Sequence, residues 1–199
     1  MSEEVNSESP VPAIGGYRGR WLRNALAAGL GALAACSPAL DWRSVRLPDT
    51  ELVAQMPCRP ARFQRDVVVA GVPLKLFMLS CEAAGVTYGV ASADVGDPAR
   101  VDAVLAELAA GARAAVHAGD AHVAAFELAG ATPFRGNVSA RLRGKRPDGE
   151  AVEESLRVFA RGTRVFQVNA IGPVLADAAI KPFEDELRLD LDNHVADPS

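Results

Sequence analysis

Three histidines, three cysteines and two runs of carboxylates are the side chains from which a reactive site could be assembled in this chain of 199 residues. A serine or cysteine nucleophile needs a base within hydrogen-bond reach and a third group to orient that base. No Gly-x-Ser-x-Gly elbow occurs, and each histidine has an ordinary setting. His117 ends a helical stretch, where an imidazolium favours the helix dipole. His122 opens an extended stretch, and His194 lies in an acidic tail. No His-x-x-x-His or Cys-x-x-Cys pair has metal spacing, and Gly-x-Gly-x-x-Gly is absent. Gly144-Lys145 is followed by Arg146 on a hairpin, which is not a nucleotide loop. Glu153/Glu154 and Glu184/Asp185/Glu186 read as surface charge runs. The expectation is a non-enzymatic protein without catalytic, metal or cofactor residues. The alternative is an exported hydrolase of unfamiliar type, which would need a pocket where His122 meets a carboxylate and a hydroxyl.

One charged constellation stands out: Arg135, Arg141, Arg143, Lys145, Arg146, Arg157, Arg161 and Arg164. Pro147-Asp148-Gly149 registers the flanking segments: a three-residue loop with Gly149 left-handed pairs Arg146 with Glu150. Ala140 then lies opposite Leu156 and Val138 opposite Val158 on one face, with Ser139 opposite Arg157 and Arg135 opposite Arg161 on the other. Such a hairpin suits lipid headgroups, lipopolysaccharide or an acidic envelope protein. The reading favoured over it is a solvated sheet edge protected by charge against aggregation, since Arg is abundant throughout the chain. With 21 Lys+Arg against 25 Asp+Glu, the net charge of −4 speaks against nucleic acid as partner.

The elements that must position these residues follow from periodicity. Val67–Ala70, Gly71 and Val72–Leu79 read as a hairpin whose two-residue turn registers Val69 with Val72 and Phe63 with Met78; Val86–Ala93 is a third strand. Asp97-Pro98 starts a helix carrying Val101, Val104, Leu105, Leu108, Ala112 and Val116, with Gly119 as its stop. Extended segments follow at 122–128, 134–143, 152–161 and 164–170. A second helix after Gly172-Pro173 carries Leu175, Ala179 and Phe183, with Pro182 inside it. The order gives an α+β domain on an antiparallel sheet with two main helices. Its boundaries read as 58–189, with an acidic flexible tail at 190–199 and a proline-punctuated tether at 36–57, pinned through Trp42.

Ahead of the tether, Arg18, Arg20 and Arg23 precede an apolar run from Ala25 to Ala35, too short to span a bilayer as a helix. Leu33-Ala34-Ala35-Cys36 resembles the lipobox of bacterial lipoproteins. That resemblance implies a signal peptide over 1–35, cleavage before Cys36, a lipid such as palmitate on that cysteine, and a membrane-anchored protein facing the periplasm. Ser37 in place of aspartate favours the outer over the inner membrane by analogy. A single-pass protein with an uncleaved leader is the other reading of the segment, and the acidic residues before Arg18 fit a start further downstream.

With Cys36 consumed, Cys58 and Cys81 are the remaining thiols of an exported domain; the hairpin register sets Cys58 two residues off Cys81, and the irregular entry at Pro57 and Pro60 closes that gap to a disulfide. From Phe63 to Leu189, the order of pieces is similar to the PsbP/Mog-type α/β/α sandwich. The pieces include Pro57-Cys58-Arg59-Pro60, Val86-Thr87-Tyr88, Asp97-Pro98 and Arg161-Gly162-Thr163-Arg164-Val165-Phe166-Gln167. This resemblance implies an accessory or adaptor role without chemistry. The function expected is therefore a membrane-anchored cell-envelope lipoprotein serving as a binding or assembly module.

Overall fold

Ala70 and Gly71 both have positive φ, 50° and 71°, and so make a two-residue turn that twists as the flanking strands do. In the computed structural model, which describes residues 40–191, this turn joins the central strands of the chain order. The strands and helices are β1 (Arg43–Arg46), β2 (Leu52–Met56), β3 (Ala61–Val69), β4 (Val72–Ala83), β5 (Val86–Asp94), α1 (Val101–Ala115), β6 (Asp120–Ala125), β7 (Val138–Lys145), β8 (Ala151–Arg161), β9 (Arg164–Gly172), α2 (Asp177–Asp185) and β10 (Arg188–Leu189). Val69 pairs with Val72 and Phe63 with Met78, as the turn dictates. The second sequence-registered hairpin also forms: Ala140 faces Leu156, Val138 faces Val158 and Ser139 faces Arg157. The backbone N–H of Arg146 donates to Glu150 O at 2.8 Å.

β3-β4-β5-β9-β8-β7-β6 form one seven-stranded antiparallel sheet, and β1-β2-β10 a three-stranded one. Successive side chains alternate between faces, so each strand feeds two cores. On one face Leu74, Ala140, Leu142, Leu156, Val158 and Val165 pack with Val101, Val104 and Leu105 of α1. On the other, Tyr88, Phe159, Phe166 and Val168 pack with the small sheet and with Ile180 and Phe183 of α2. Each fully buried Leu or Phe contributes about 1.5–3 kcal/mol. Tyr88 also donates its hydroxyl to Ala179 O at 2.7 Å, which fixes α2 on the sheet. The fold is α+β, with a helix on each face of the main sheet.

Four expectations are corrected. Residues 41–56 are not tether: β1 and β2 are strands, Leu47, Leu52 and Met56 are buried, and Asp41 N–H donates to Pro57 O at 2.8 Å. Trp42 does pin this segment, packing edge-on against Tyr88 at 6.0 Å between ring centroids. The folded part also continues past 189, since Asp190 N–H donates to Glu51 O and its carboxylate pairs with Arg46.

α1 stops before Gly119: His117 takes the left-handed position (φ 46°), and Ala118 N–H and His117 N–H close on Arg113 O and Ala114 O. Finally, Phe134–Asn137 is a turn rather than the start of a strand. Gly136 N–H donates to Asp102 Oδ1 of α1 at 2.8 Å, and a Cβ on Gly136 would stand 2.7 Å from Leu105 Cβ. Arg135 is thereby lifted out of the hairpin and does not face Arg161. The expected leader over 1–35, Cys36, His194 and the tail beyond 191 lie outside the described residues.

Candidate functional site

Asp41, the disulfide and the tip of the β7–β8 hairpin share one end of the main sheet. Cys58 and Cys81 are bonded, with Cα atoms 6.0 Å apart. Cys58 precedes β3, Cys81 lies near the end of β4, and Pro57 beside Cys58 holds Asp41. Because the sheet is antiparallel, the end where β4 finishes is also where β8 begins and β7 finishes. The 146–149 loop therefore projects from the end at which the chain enters the domain.

The basic residues of the hairpin separate into two sets. Arg141 and Arg157 converge on Glu184 of α2, at 2.8 and 3.3 Å. Arg143 pairs with Glu153 at 3.2 Å. Arg161 pairs with Glu51 at 2.9 Å and donates to Gly130 O. Arg164 lies 3.9 Å from Asp94, whose carboxyl is held below its usual value by the Thr163 hydroxyl and then the Gly96 N–H. Arg135, Lys145 and Arg146 have no acidic partner among the described residues, and only Lys145 and Arg146 stand at the hairpin tip. The patch is thus largely neutralised by carboxylates from other elements; at its tip Lys145 and Arg146 make no ion pair and stand beside Asp148 and Glu150 of the same loop.

Arg157 is the most enclosed of these cations, its side chain 16% exposed. It also lies over the Phe126 ring, 5.4 Å from the centroid. Burial is the main influence lowering its pKa; Glu184 opposes it and Arg141 adds to it. A 120 Å³ cleft beside this cluster is lined by His122, Ser139, Arg141, Ser155, Arg157 and Glu184. Histidine, hydroxyl and carboxylate therefore do meet. Yet Ser155 donates its hydroxyl to Glu184, not to a histidine, and Glu184 is already engaged by two guanidiniums. The His122 ring, on ladder strand β6, makes no hydrogen bond among the described residues. The cleft therefore lacks both links of a nucleophile–base–orienter relay. Glu184, Ser139 and Ser155 were not marked as site residues in the sequence, because α2 meets this face only through tertiary packing.

On the α1 side the helix leaves part of the sheet uncovered. A groove of about 450 Å³ runs there, floored by Gly89 and Ala91 and flanked by Phe63, Met78, Gln167 and Asn169. A Cβ on Gly89 would stand 2.5 Å from Asn169 Oδ1, so the amide lies across the glycine. Asn169 Nδ2 donates to Glu154 Oε1 at 2.9 Å. Glu154 is 3% exposed, the one buried carboxyl group among the described residues. Burial raises its pKa, and the Asn169 bond opposes the shift. It is not the surface charge its neighbour Glu153 suggests.

Among the described residues no group of His, Cys, Asp and Glu could hold a metal ion, and no helix is long and apolar enough to cross a membrane. Compared with protein families, with curated proteins and with solved structures, the chain matches none.

Proposed function

We propose that the chain is a membrane-anchored cell-envelope lipoprotein, non-enzymatic, whose domain is a binding module that sets its basic hairpin tip on anionic lipid headgroups. The observation that carries this reading is the shared end of the sheet. Asp41 and the Lys145–Arg146 tip lie at the same end, and Asp41 follows Cys36 by five positions, with four residues between them. Fully extended, that lead reaches roughly 18 Å. A lipid on Cys36 would therefore hold this end close to the bilayer, where each exposed cation gains about 1 kcal/mol from an anionic surface. The Cys58–Cys81 bond supports export, because such bonds persist in oxidising compartments. The likeness to PsbP/Mog-type sandwiches points the same way, to an accessory role without chemistry.

Two measurements test it. Cys36→Ser should abolish uptake of labelled palmitate and leave a longer, unprocessed chain; a wild type that takes up no label refutes the anchor and favours an uncleaved single-pass leader. For the tip, Lys145→Cys carrying a polarity-sensitive dye, in the processed protein on vesicles, should shift its emission with anionic but not neutral lipid, and lose the shift at high salt. Equal emission on both refutes headgroup binding. Shielding only in intact envelopes assigns the tip to an acidic envelope protein.

The His122 cleft favours a second reading, the hydrolase. Turnover of simple esters by the wild type, lost in His122→Ala, would establish it against the module.

A further inference from the structure

Among the described residues β3 is an open edge of the main sheet, paired with β4 on one side only. Natural edges are guarded by shortness, prolines, bulges or charged side chains, lysine above all. β3 runs nine residues, Ala61–Val69, in unbroken register and without a proline or lysine, and its charges, Arg62, Arg65 and Asp66, are of both signs. Its outer part is exposed from Ala61 to Asp66, with Phe63 50% and Val68 71% exposed.

The hydrogen-bonding pattern of this edge follows from the turn. In a two-residue hairpin the flanking pair, Val69 and Val72, exchanges backbone bonds. Antiparallel pairs alternate between bonded and non-bonded, so the odd-numbered residues of β3 bond to β4. Pro73 agrees: it lacks an N–H and sits opposite Val68, a non-bonded pair. The N–H and C=O groups of Arg62, Gln64, Asp66 and Val68 therefore point outward from the edge.

We infer that this edge pairs with the β3 edge of a second copy, antiparallel about a two-fold axis through Gln64, giving one continuous sheet. The axis reverses the second copy, so the two 146–149 tips lie at opposite ends of that sheet. This pairing and end-on docking of both copies on one bilayer exclude one another, and the cross-link below decides between them. A two-fold normal to the sheet keeps corresponding faces on the same side, so only registers pairing even with even residues are allowed. Centring on Arg65 opposes two arginines, and centring on Asp66 opposes two aspartates. Centring on Phe63 leaves Asp66 facing Pro60. Centring on Gln64 sets Arg62 opposite the partner's Asp66 twice, and Phe63 opposite the partner's Arg65 twice. Opposite charges and a cation over an aromatic ring are favourable cross-strand pairs. Arg62, Arg65 and Asp66 have no ion-pair partner among the described residues, so nothing within the chain competes for them. The charge pattern of β3 is self-complementary in that one register.

The test is oxidative cross-linking of the full chain in its own envelope. Bonded antiparallel pairs have Cα atoms about 5.5 Å apart, within disulfide reach. Gln64→Cys should give a covalent dimer on a non-reducing gel. Ala124→Cys, on the opposite edge β6, should not. Adding Asp66→Arg or Arg62→Asp to Gln64→Cys should lower the dimer yield about tenfold, by turning both ion pairs into repulsions. Co-expressing these two charge variants should restore it, because only the mixed dimer regains both pairs. Labelling of free thiols before oxidation verifies that Cys58–Cys81 is intact and each variant folded. Stronger cross-linking from Phe63→Cys, Arg65→Cys or Asp66→Cys overturns the register. No dimer from any of them, or a Gln64→Cys adduct with a different protein, overturns the second copy as partner.

Discussion

Gly144→Ala tests the packing of α1 on the sheet more sharply than any core truncation. Gly144 lies in β7 opposite Val152, on the face that α1 covers. A Cβ there would stand 1.9 Å from Val116 O, 2.9 Å from Val116 C and 3.1 Å from Ala118 Cα. All three are backbone atoms, so no rotamer change relieves the overlap; the helix end must move by more than an ångström. That movement breaks the 2.8 Å bond from Lys145 N–H to Val116 O and disturbs the His117 Nδ1 contact with Lys145 O at 3.3 Å. Each such bond is worth about 1 kcal/mol net. Partial withdrawal of buried Val116 and Ala112 removes a further ~1–2 kcal/mol. The expected loss is about 3–4 kcal/mol, a large share of the roughly 5–15 kcal/mol that holds a domain together. Urea unfolding followed by circular dichroism should show a lower midpoint with an unchanged slope. Gly111→Ala, inside α1 with nothing within 4 Å of the added carbon, should gain about 0.5–1 kcal/mol. A Gly144→Ala protein within about 1 kcal/mol of wild type would refute this account of the contact.

Three further outcomes are expected. Glu154→Gln should stabilise the domain increasingly as pH rises above about 4.5: the folded carboxyl has a raised pKa, so wild type loses stability as pH climbs from the unfolded value through the folded one. A wild-type-minus-variant difference flat between pH 4 and pH 8 on unfolding curves would contradict the burial of that group. Glu184→Gln should cost about 2–3 kcal/mol by leaving enclosed Arg157 without its carboxylate, with the far more exposed Arg141 contributing little; an unshifted melting temperature would show the cluster to be dispensable. Reducing Cys58–Cys81, which spans 23 positions, should cost about 3 kcal/mol, and Cys58→Ala/Cys81→Ala should then be insensitive to reductant; equal midpoints with and without reductant in the wild type would refute the contribution.

What could be read from the sequence was local. Both registered hairpins formed because turn chemistry and alternation agree over a few residues: Ala70-Gly71 supplies two positive φ angles, and Gly149 (φ 90°) supplies the left-handed residue of its loop. The cysteine pair lies two residues off the first of these registers, and was legible from the count of thiols together with the irregular entry at Pro57 and Pro60. The same hairpin register held more than was taken from it. Placing Leu156 and Val158 inward fixes Glu154 as inward too, because alternate residues share a face. The charge run Glu153/Glu154 therefore contains one exposed-side and one core-side carboxylate, and only the pleat distinguishes them.

The remainder depended on contacts far apart in the chain. β2 is central to the small sheet only because β10, more than a hundred residues later, pairs with it through Arg188–Val53 and Leu189–Leu52. Without that partner, Leu52–Met56 between prolines looks like a tether. Arg135 left the hairpin because Asp102, on α1, captures the Gly136 N–H. The basic patch shrank for the same reason: Glu184 and Glu51 reach Arg141, Arg157 and Arg161 from separate elements. A count of charges along one hairpin measures the field of that hairpin alone, whereas a partner responds to the potential after every neighbouring carboxylate has been folded in. Lys145 and Arg146 keep free of ion pairs because the tip extends past the elements that carry those carboxylates, although Asp148 and Glu150 of the loop balance their charge. The headgroup proposal therefore rests on the two unpaired cations and their place at the exposed end of the hairpin, not on a net positive field.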